Sequence, residues 1–431
     1  MKKALALILA LCLALSVVAC GGAASSAPAS ESTPAEGGEA APATTQITLA
    51  TYPIGKWSDE AVVNELIAGF NAVHPEIEVT VQYLDYTNGD DAVNTAIEAG
   101  TAPDVIFEGP ERLVANWGAK GYLVDLADLV NPNTYASVIG SCTSENGAVY
   151  ELPVCMTAHC MGINKDLFEA AGAWQYVDAE SHTWTTENFV KAVEALVAYG
   201  HTNVGAVYCG GQGGDQGTRA LVTNLYGGTY ANAEHTAYTA NCAENVKALQ
   251  LLKDLEGINF DASIVGGDEV SLFANGTLAM AFCWNVALEN NNAETIQFDA
   301  FPMAFPTESG DPVLQGGIWG FGIFDNGDQA KIDAAKTFVE YMTTGDAYVA
   351  AVEASSYWPV FEVEGMYEGN EQMTEYGLLV PYMGDYYQIT KGWTEARTAW
   401  WNALQAIGSG TDVQEALDTF VETANAAANA A

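Results

Sequence analysis

Residues 146–172, NGAVYELPVCMTAHCMGINKDLFEAAG, constrain this chain more than any other stretch. Asn146-Gly147 signals a turn, because both residues tolerate positive φ. The run from Val149 is extended, since Pro153 disfavours helix at its own position and at the residue before it. The apolar run resumes around Cys160-Met161-Gly162-Ile163. Asn164-Lys165-Asp166 then caps a short helix over 167–171, and Gly172 ends it. A strand leaves one half of the molecule here and a helix begins in the other. The stretch reads as a crossover between two lobes, and the space between the lobes becomes the expected functional site.

The flanking pattern agrees. Residues 46–50 alternate as a strand, and 60–74 carry Val63, Leu66, Ile67 and Phe70 at helical spacing. Residues 77–81 alternate again, 91–99 form a helix, and Val105-Ile106-Phe107 is a continuous apolar run of the buried parallel type. Strand and helix alternate, so the class is α/β. Downstream the pattern predicts helices over 185–199, 218–226, 244–255, 269–275 and Gln329–Met342, and a helical tail from Trp393. Strands are expected at 204–209, 278–283 and 298–303, with glycine alternating with apolar residues over 316–324. Residues 210–217 form a glycine-rich loop. A chain of 431 residues suits two domains of ordinary size.

The start of the chain has another purpose. Met1-Lys2-Lys3 precedes an apolar run, 4–18, too short to span a bilayer comfortably. Val17-Val18-Ala19-Cys20 resembles a bacterial lipobox, so 1–19 is read as a signal peptide and Cys20 as the acylated anchor. Residues 20–45, rich in Ala, Ser, Pro, Gly and Glu, form a flexible tether. A formal charge of −41 argues against nucleic acid and anionic bilayers as charge-driven partners. Cys142, Cys155, Cys160, Cys209, Cys242 and Cys283 are even in number, which permits disulfides, but no C-x-x-C occurs. Several sit in apolar runs, as small buried hydrophobes do. The chain has no H-E-x-x-H, G-x-S-x-G, P-loop or complete dinucleotide fingerprint. No enzyme activity, cofactor or metal is expected.

Six segments, taken in order, carry a family likeness. They are Gly100-Thr101-Ala102-Pro103-Asp104-Val105, Gly121-Tyr122-Leu123-Val124-Asp125-Leu126, Leu152-Pro153, Asn164-Lys165-Asp166-Leu167-Phe168, the run from Phe273 to Met280, and Trp393 with Arg397 ahead of the tail helix. The chain resembles a family 1 extracellular solute-binding protein of an ABC importer, the group that includes maltose- and other sugar-binding lipoproteins. The resemblance implies a two-lobed periplasmic-binding-protein-like fold with a hinge and an interlobe ligand cleft. The N-terminal lobe would comprise 46–155 plus 307–365, and the C-terminal lobe 156–306 plus 366–431. It implies a monomer, lipid-anchored outside the cytoplasm, that captures a mono- or oligosaccharide and delivers it to ABC permease subunits. Three alternatives stay open: a polyamine binder, which the acidity suits; a surface-anchored glycoside hydrolase; and a lipoprotein that presents its ligand to a sensor kinase.

Sugar recognition needs aromatic faces for the ring and planar polar side chains for hydroxyl pairs. Glu108, Glu111 and Arg112 follow the buried strand at its C-terminal end, where open α/β sheets bind ligands. Lys56 and Trp57 follow the first strand in the same way. The resemblance adds an acidic–basic pair at Glu111-Arg112 and an aromatic platform at Trp284. It also adds Trp393 with Arg397, four apart and so on one helix face, and Asp215 and Gln216 in the glycine-rich loop. Trp319 and Trp358, near the second crossover, are read as further platforms or as core. Where such relatives carry an acidic residue after the crossover proline, this chain has Thr157 with His159 nearby, and His159 reads first as a hinge or core residue.

Overall fold

Eleven strands organise the described residues: β1 (Thr45–Thr51), β2 (Ile77–Tyr83), β3 (Val105–Glu108), β4 (Leu152–Ala158), β5 (Cys160–Asn164), β6 (Gly205–Ala206), β7 (Ile258–Asn259), β8 (Met280–Trp284), β9 (Ala300–Met303), β10 (Gly316–Ile323) and β11 (Trp358–Pro359). The computed structural model describes residues 44–207, 210, 215–264 and 267–430. Residues 44–430 belong to one compact unit. The expected signal peptide, Cys20 and the tether to residue 43 lie outside the described residues.

The larger sheet runs in the order β11-β4-β10-β3-β1-β2. β1 pairs in parallel with both β2 and β3, the arrangement that the two intervening helices, Glu60–Val73 and Gly89–Ala99, require. β10 lies antiparallel between β3 and β4. The smaller sheet, β8-β5-β9, is antiparallel throughout, and among the described residues β6 pairs in parallel with β7. The strand expected over 204–209 thus narrows to two residues, and Tyr208 and Cys209 lie outside the described residues.

The stretch singled out in the sequence joins the two sheets. Gly147 holds φ at 86°, and Asn146 Oδ1 accepts from the Ala148 amide at 2.9 Å, which closes the turn. β4 belongs to the larger sheet and β5 to the smaller, with only His159 between them. The passage therefore falls at the end of β4, beyond the Cys155/Met156 boundary read from the sequence. Asn164 caps the next helix, Lys165–Ala170, by accepting from the Leu167 amide at 3.0 Å.

A second passage returns between β9 and β10 and lies beside the first, where the His159 amide donates to Gln315 O at 2.8 Å. A third stretch touches the second. Leu314 N donates to Tyr382 O at 2.8 Å, and Gly384 N donates to Leu314 O at 2.9 Å. The helix Glu371–Gly377, which precedes this third stretch, anchors on the smaller-sheet side, with Gln372 Nε2 and Tyr376 OH both donating to Glu289.

Several recognisable motifs turn out to be structural. Asp104 is buried. Its carboxylate accepts from Thr48 N at 2.8 Å, Asn326 Nδ2 at 3.1 Å and Lys331 Nζ at 3.2 Å, tying β1 to the start of the helix Gln329–Met342. Trp57 is core. It sits in a short 3-10 helix, Gly55–Ser58, that turns the indole inward against Phe107 (centroids 4.3 Å apart) and Phe321. Its Nε1 donates to Ala351 O at 3.2 Å. Trp57→Ala should cost about 3–5 kcal/mol of stability, the range for removing a large buried aromatic side chain. Urea denaturation of the unliganded protein checks this, and ligand affinity of the folded variant should be unchanged.

Candidate functional site

A cavity of about 570 Å³ opens at the C-terminal ends of β1, β2 and β3. The larger sheet and its loops supply Gly55, Tyr86, Glu108, Gly317, Trp319 and Tyr357. The smaller sheet and its helices supply Gln216, Val270, Cys283, Asn285 and Leu288. His159, at the first passage, lines it too, as do Tyr386 and Gln388 beyond the third and Arg397 from the helix Trp393–Gly408. Both sheets thus wall one cavity.

Its chemistry divides into two regions. One is an ionic corner. Pro110 starts a short helix, Pro110–Arg112, after β3 and places Arg112 one turn beyond Glu108. The chain then winds as a π-helix, Leu113–Gly118, a form often found at functional sites. Arg112 is buried. Its Nε donates to Asp90 at 2.7 Å, and its Nη1 donates to Glu108 at 2.7 Å and to Glu111 at 3.4 Å. The guanidinium also lies 5.2 Å from the Tyr52 ring centroid and 5.5 Å from that of Tyr86. Tyr386 OH donates to the other Glu111 oxygen at 2.7 Å. Burial pushes the Glu108 carboxyl up to about 8 against the pull of Arg112, and Glu111 and Asp90 push it the same way.

The second region is neutral. Trp319 is half-buried and stacks on Tyr357, with centroids 4.7 Å apart and planes 14° apart. Gly317 leaves room for that indole, because a Cβ there would meet its ring carbons at 2.0 to 2.5 Å. Nearby, Gln216 Nε2 lies 2.9 Å from His159 Nε2, and Asn285 Nδ2 lies 3.3 Å from His159 Nδ1. Three side chains distant in sequence therefore meet at the passage, each able to face a hydroxyl group.

The sequence-derived candidates separate accordingly. Glu108, Glu111, Arg112, Trp319, Arg397 and Gln216 line the cavity. Asp215 opens the helix Asp215–Tyr226, and its side chain lies outside the described residues. The other candidates need correction. Trp57 is in the core, and Lys56 faces a separate surface groove with Val62, Glu65 and Asp346. Trp284 is fully buried against Phe273 (centroids 4.8 Å apart), because successive strand residues point to opposite faces and its neighbours Cys283 and Asn285 take the cavity side. Trp393 is buried over the Arg219 guanidinium, 4.8 Å from its ring centroid. Trp358 lines a different groove with Tyr135, Met156 and Tyr367.

Sequence reasoning missed Tyr86, Tyr357, Asn285, Tyr386 and Gln388 as lining residues. Tyr86 follows β2 just as Glu108 ends β3, so the rule that selected Glu108 reaches it as well. Tyr357 is the neighbour of Trp358, on the opposite side of a short extended run.

A two-sheet body with a cavity where its chain passes between the sheets has the shape of a binding protein. The comparisons agree. Residues 55–348 match the family model described as bacterial extracellular solute-binding protein, and the chain belongs to that family. An uncharacterized lipoprotein of Streptomyces antibioticus is 28% identical over 170 residues, which is 38% of this chain and only 37% of that protein's length. A solute-binding protein of an ABC transporter from Thermotoga lettingae, solved with α-D-tagatose, shares 18% identity with a TM-score of 0.72, over 89% of this chain and 100% of that one. A cyclic α-maltosyl-1,6-maltose binding protein from Arthrobacter globiformis shares 18% identity with a TM-score of 0.71, over 90% and 100%. These two share the fold.

Helix Asp268–Ala274 supports the cavity wall through Glu269, a buried carboxyl that accepts from the Phe282 amide of β8. Burial raises its pKa from 4.5 to about 8. A raised carboxyl pKa means that the folded state holds the proton more tightly than the unfolded state. Its contribution is therefore complete below about 4.5 and declines as pH rises towards about 8. Thermal melts of the unliganded protein across that window should fall with rising pH, and Glu269→Gln should flatten the slope.

Proposed function

We propose that this protein is the ligand-capturing component of an ABC importer, and that its ligand is a carbohydrate. One observation carries the reading: a single cavity, walled by both sheets, pairs the half-buried Trp319–Tyr357 stack with His159, Gln216 and Asn285. An indole face suits the apolar C–H patches of a sugar ring, and amide and imidazole groups suit its hydroxyls. The fold shared with proteins solved holding α-D-tagatose, or named for cyclic maltosyl-maltose, supports the same class of ligand. No catalytic step is assigned.

The larger-sheet and smaller-sheet halves act as the two lobes, and the three adjoining stretches act as the hinge. Ligand that touches both halves favours the closed form over the open one, since only differential contact can shift such an equilibrium. Acylated Cys20 holds the protein at the outer face of the cell membrane, and the tether lets the body reach the permease subunits. The lipoprotein relative supports this anchoring.

A thermal-shift screen with neutral mono- and oligosaccharides, followed by calorimetry on those that bind, tests the reading, because a ligand of the native state raises the melting point. Trp319→Ala should weaken the best ligand about tenfold or more, equivalent to about 1.4 kcal/mol. Trp393→Ala should instead lower stability and leave the affinity of the folded fraction unchanged. A screen in which no sugar shifts the melt would overturn the carbohydrate assignment.

A further inference from the structure

The ionic corner of the cavity holds more carboxyl groups than its cations can satisfy. Asp90, Glu108, Glu111 and Glu151 gather there against Arg112 and Arg397. Glu108 gives one oxygen to Arg112, and its Oε2 has no hydrogen-bond partner although the side chain is almost fully buried. Glu151 is 0% exposed, and neither of its oxygens has a partner. It stands behind the wall, where its charge is felt at Glu111 and Glu108. A buried acceptor without a donor is costly, and of these oxygens Glu108 Oε2 belongs to a residue that lines the cavity.

A donor-rich cation entering beside Glu108 would relieve that cost. Among the described residues, no group of three or more His, Cys, Asp or Glu side chains is arranged to hold a metal ion. An ammonium group fits better, because it brings three N–H donors and one positive charge in a compact volume. The rings of Tyr86 and Tyr386 line the same cavity beside the corner, and aromatic faces favour cations. Burial raises Glu108 and Glu151 above the usual carboxylate range, and a cation beside Glu108 would favour its ionised form.

We propose that the ligand is an amine-bearing carbohydrate whose ammonium group sits against Glu108 and Glu111, with its hydroxyls towards His159, Gln216 and Asn285. This rests on the carbohydrate reading and narrows it.

Calorimetry at near-neutral pH with matched probes tests it: glucose and cellobiose, glucosamine and its β-1,4 dimer, the N-acetylated forms of both, and spermidine as an amine without a sugar. The amine sugars should bind at least about tenfold more tightly than their hydroxyl and acetylated counterparts, and Glu108→Gln should remove most of that preference. Glu111→Gln, at a less buried position, is the second variant should the first fail to fold, and a melt of each unliganded variant checks folding. Neutral sugars that bind as well as amine sugars, or a folded Glu108→Gln and Glu111→Gln that both keep the preference, overturn this inference and leave the carbohydrate reading in place. Binding of spermidine alone, or of no probe, overturns both.

Discussion

The structure depends on a narrow band of backbone where the chain passes between its sheets. His159 bonds to Gln315, and Leu314 bonds to Tyr382 and Gly384, so three stretches distant in sequence lie side by side. Backbone amides and carbonyls that leave a sheet must find partners elsewhere or carry a desolvation penalty. Here they find each other. That pairing fixes where the two halves meet, and the cavity follows from it, since side chains just off each passage (His159, Tyr386, Gln388) become its wall.

On this frame the cavity combines two environments that tolerate water differently. Around Trp319 and Tyr357 the wall is neutral, with amides that can exchange one partner for another. Around Arg112 it is a buried ion network. Taking such charges out of water costs several kcal/mol per ion, and mutual attraction offsets this only when the hydrogen bonding is good. Arg112 achieves this with Asp90, Glu108 and Glu111, and two tyrosine rings lie against it. Glu151 does not, and so its proton is held well above the usual carboxylate range.

Much of this architecture is legible in the residues. The passage at 146–172 is visible because Asn-Gly, Pro and an Asn cap punctuate two apolar runs. The helix Gln329–Met342 matches at both ends. β3 reads as a buried parallel strand because it is apolar without interruption, and Glu108 follows from its position at the strand's end. The aromatic assignments fared worse, for a physical reason. β8 is buried on both faces, so no polar alternation reveals its phase, and Trp284 could not be told from Cys283 or Asn285. Trp393 and Arg397 do share a helix face, but the first lies over Arg219 while the second, a turn later, reaches the cavity and the Trp401 ring. Tyr386 and Gln388 lie at a single 3-10 turn, Tyr387–Ile389, too short for a period to betray them. The helices Ala136–Cys142 and Gly345–Ser355 also escaped the sequence pattern.

The placement of β10 between β3 and β4 bears on how the molecule is made. The strands on either side are synthesised first, and the one that joins them emerges only after the whole smaller sheet. Until then β3 and β4 each present a bare edge, the kind of surface on which wrong pairing begins. The larger sheet therefore cannot close until its late middle strand arrives, so the order of synthesis makes the smaller sheet's strands available before the larger sheet is complete.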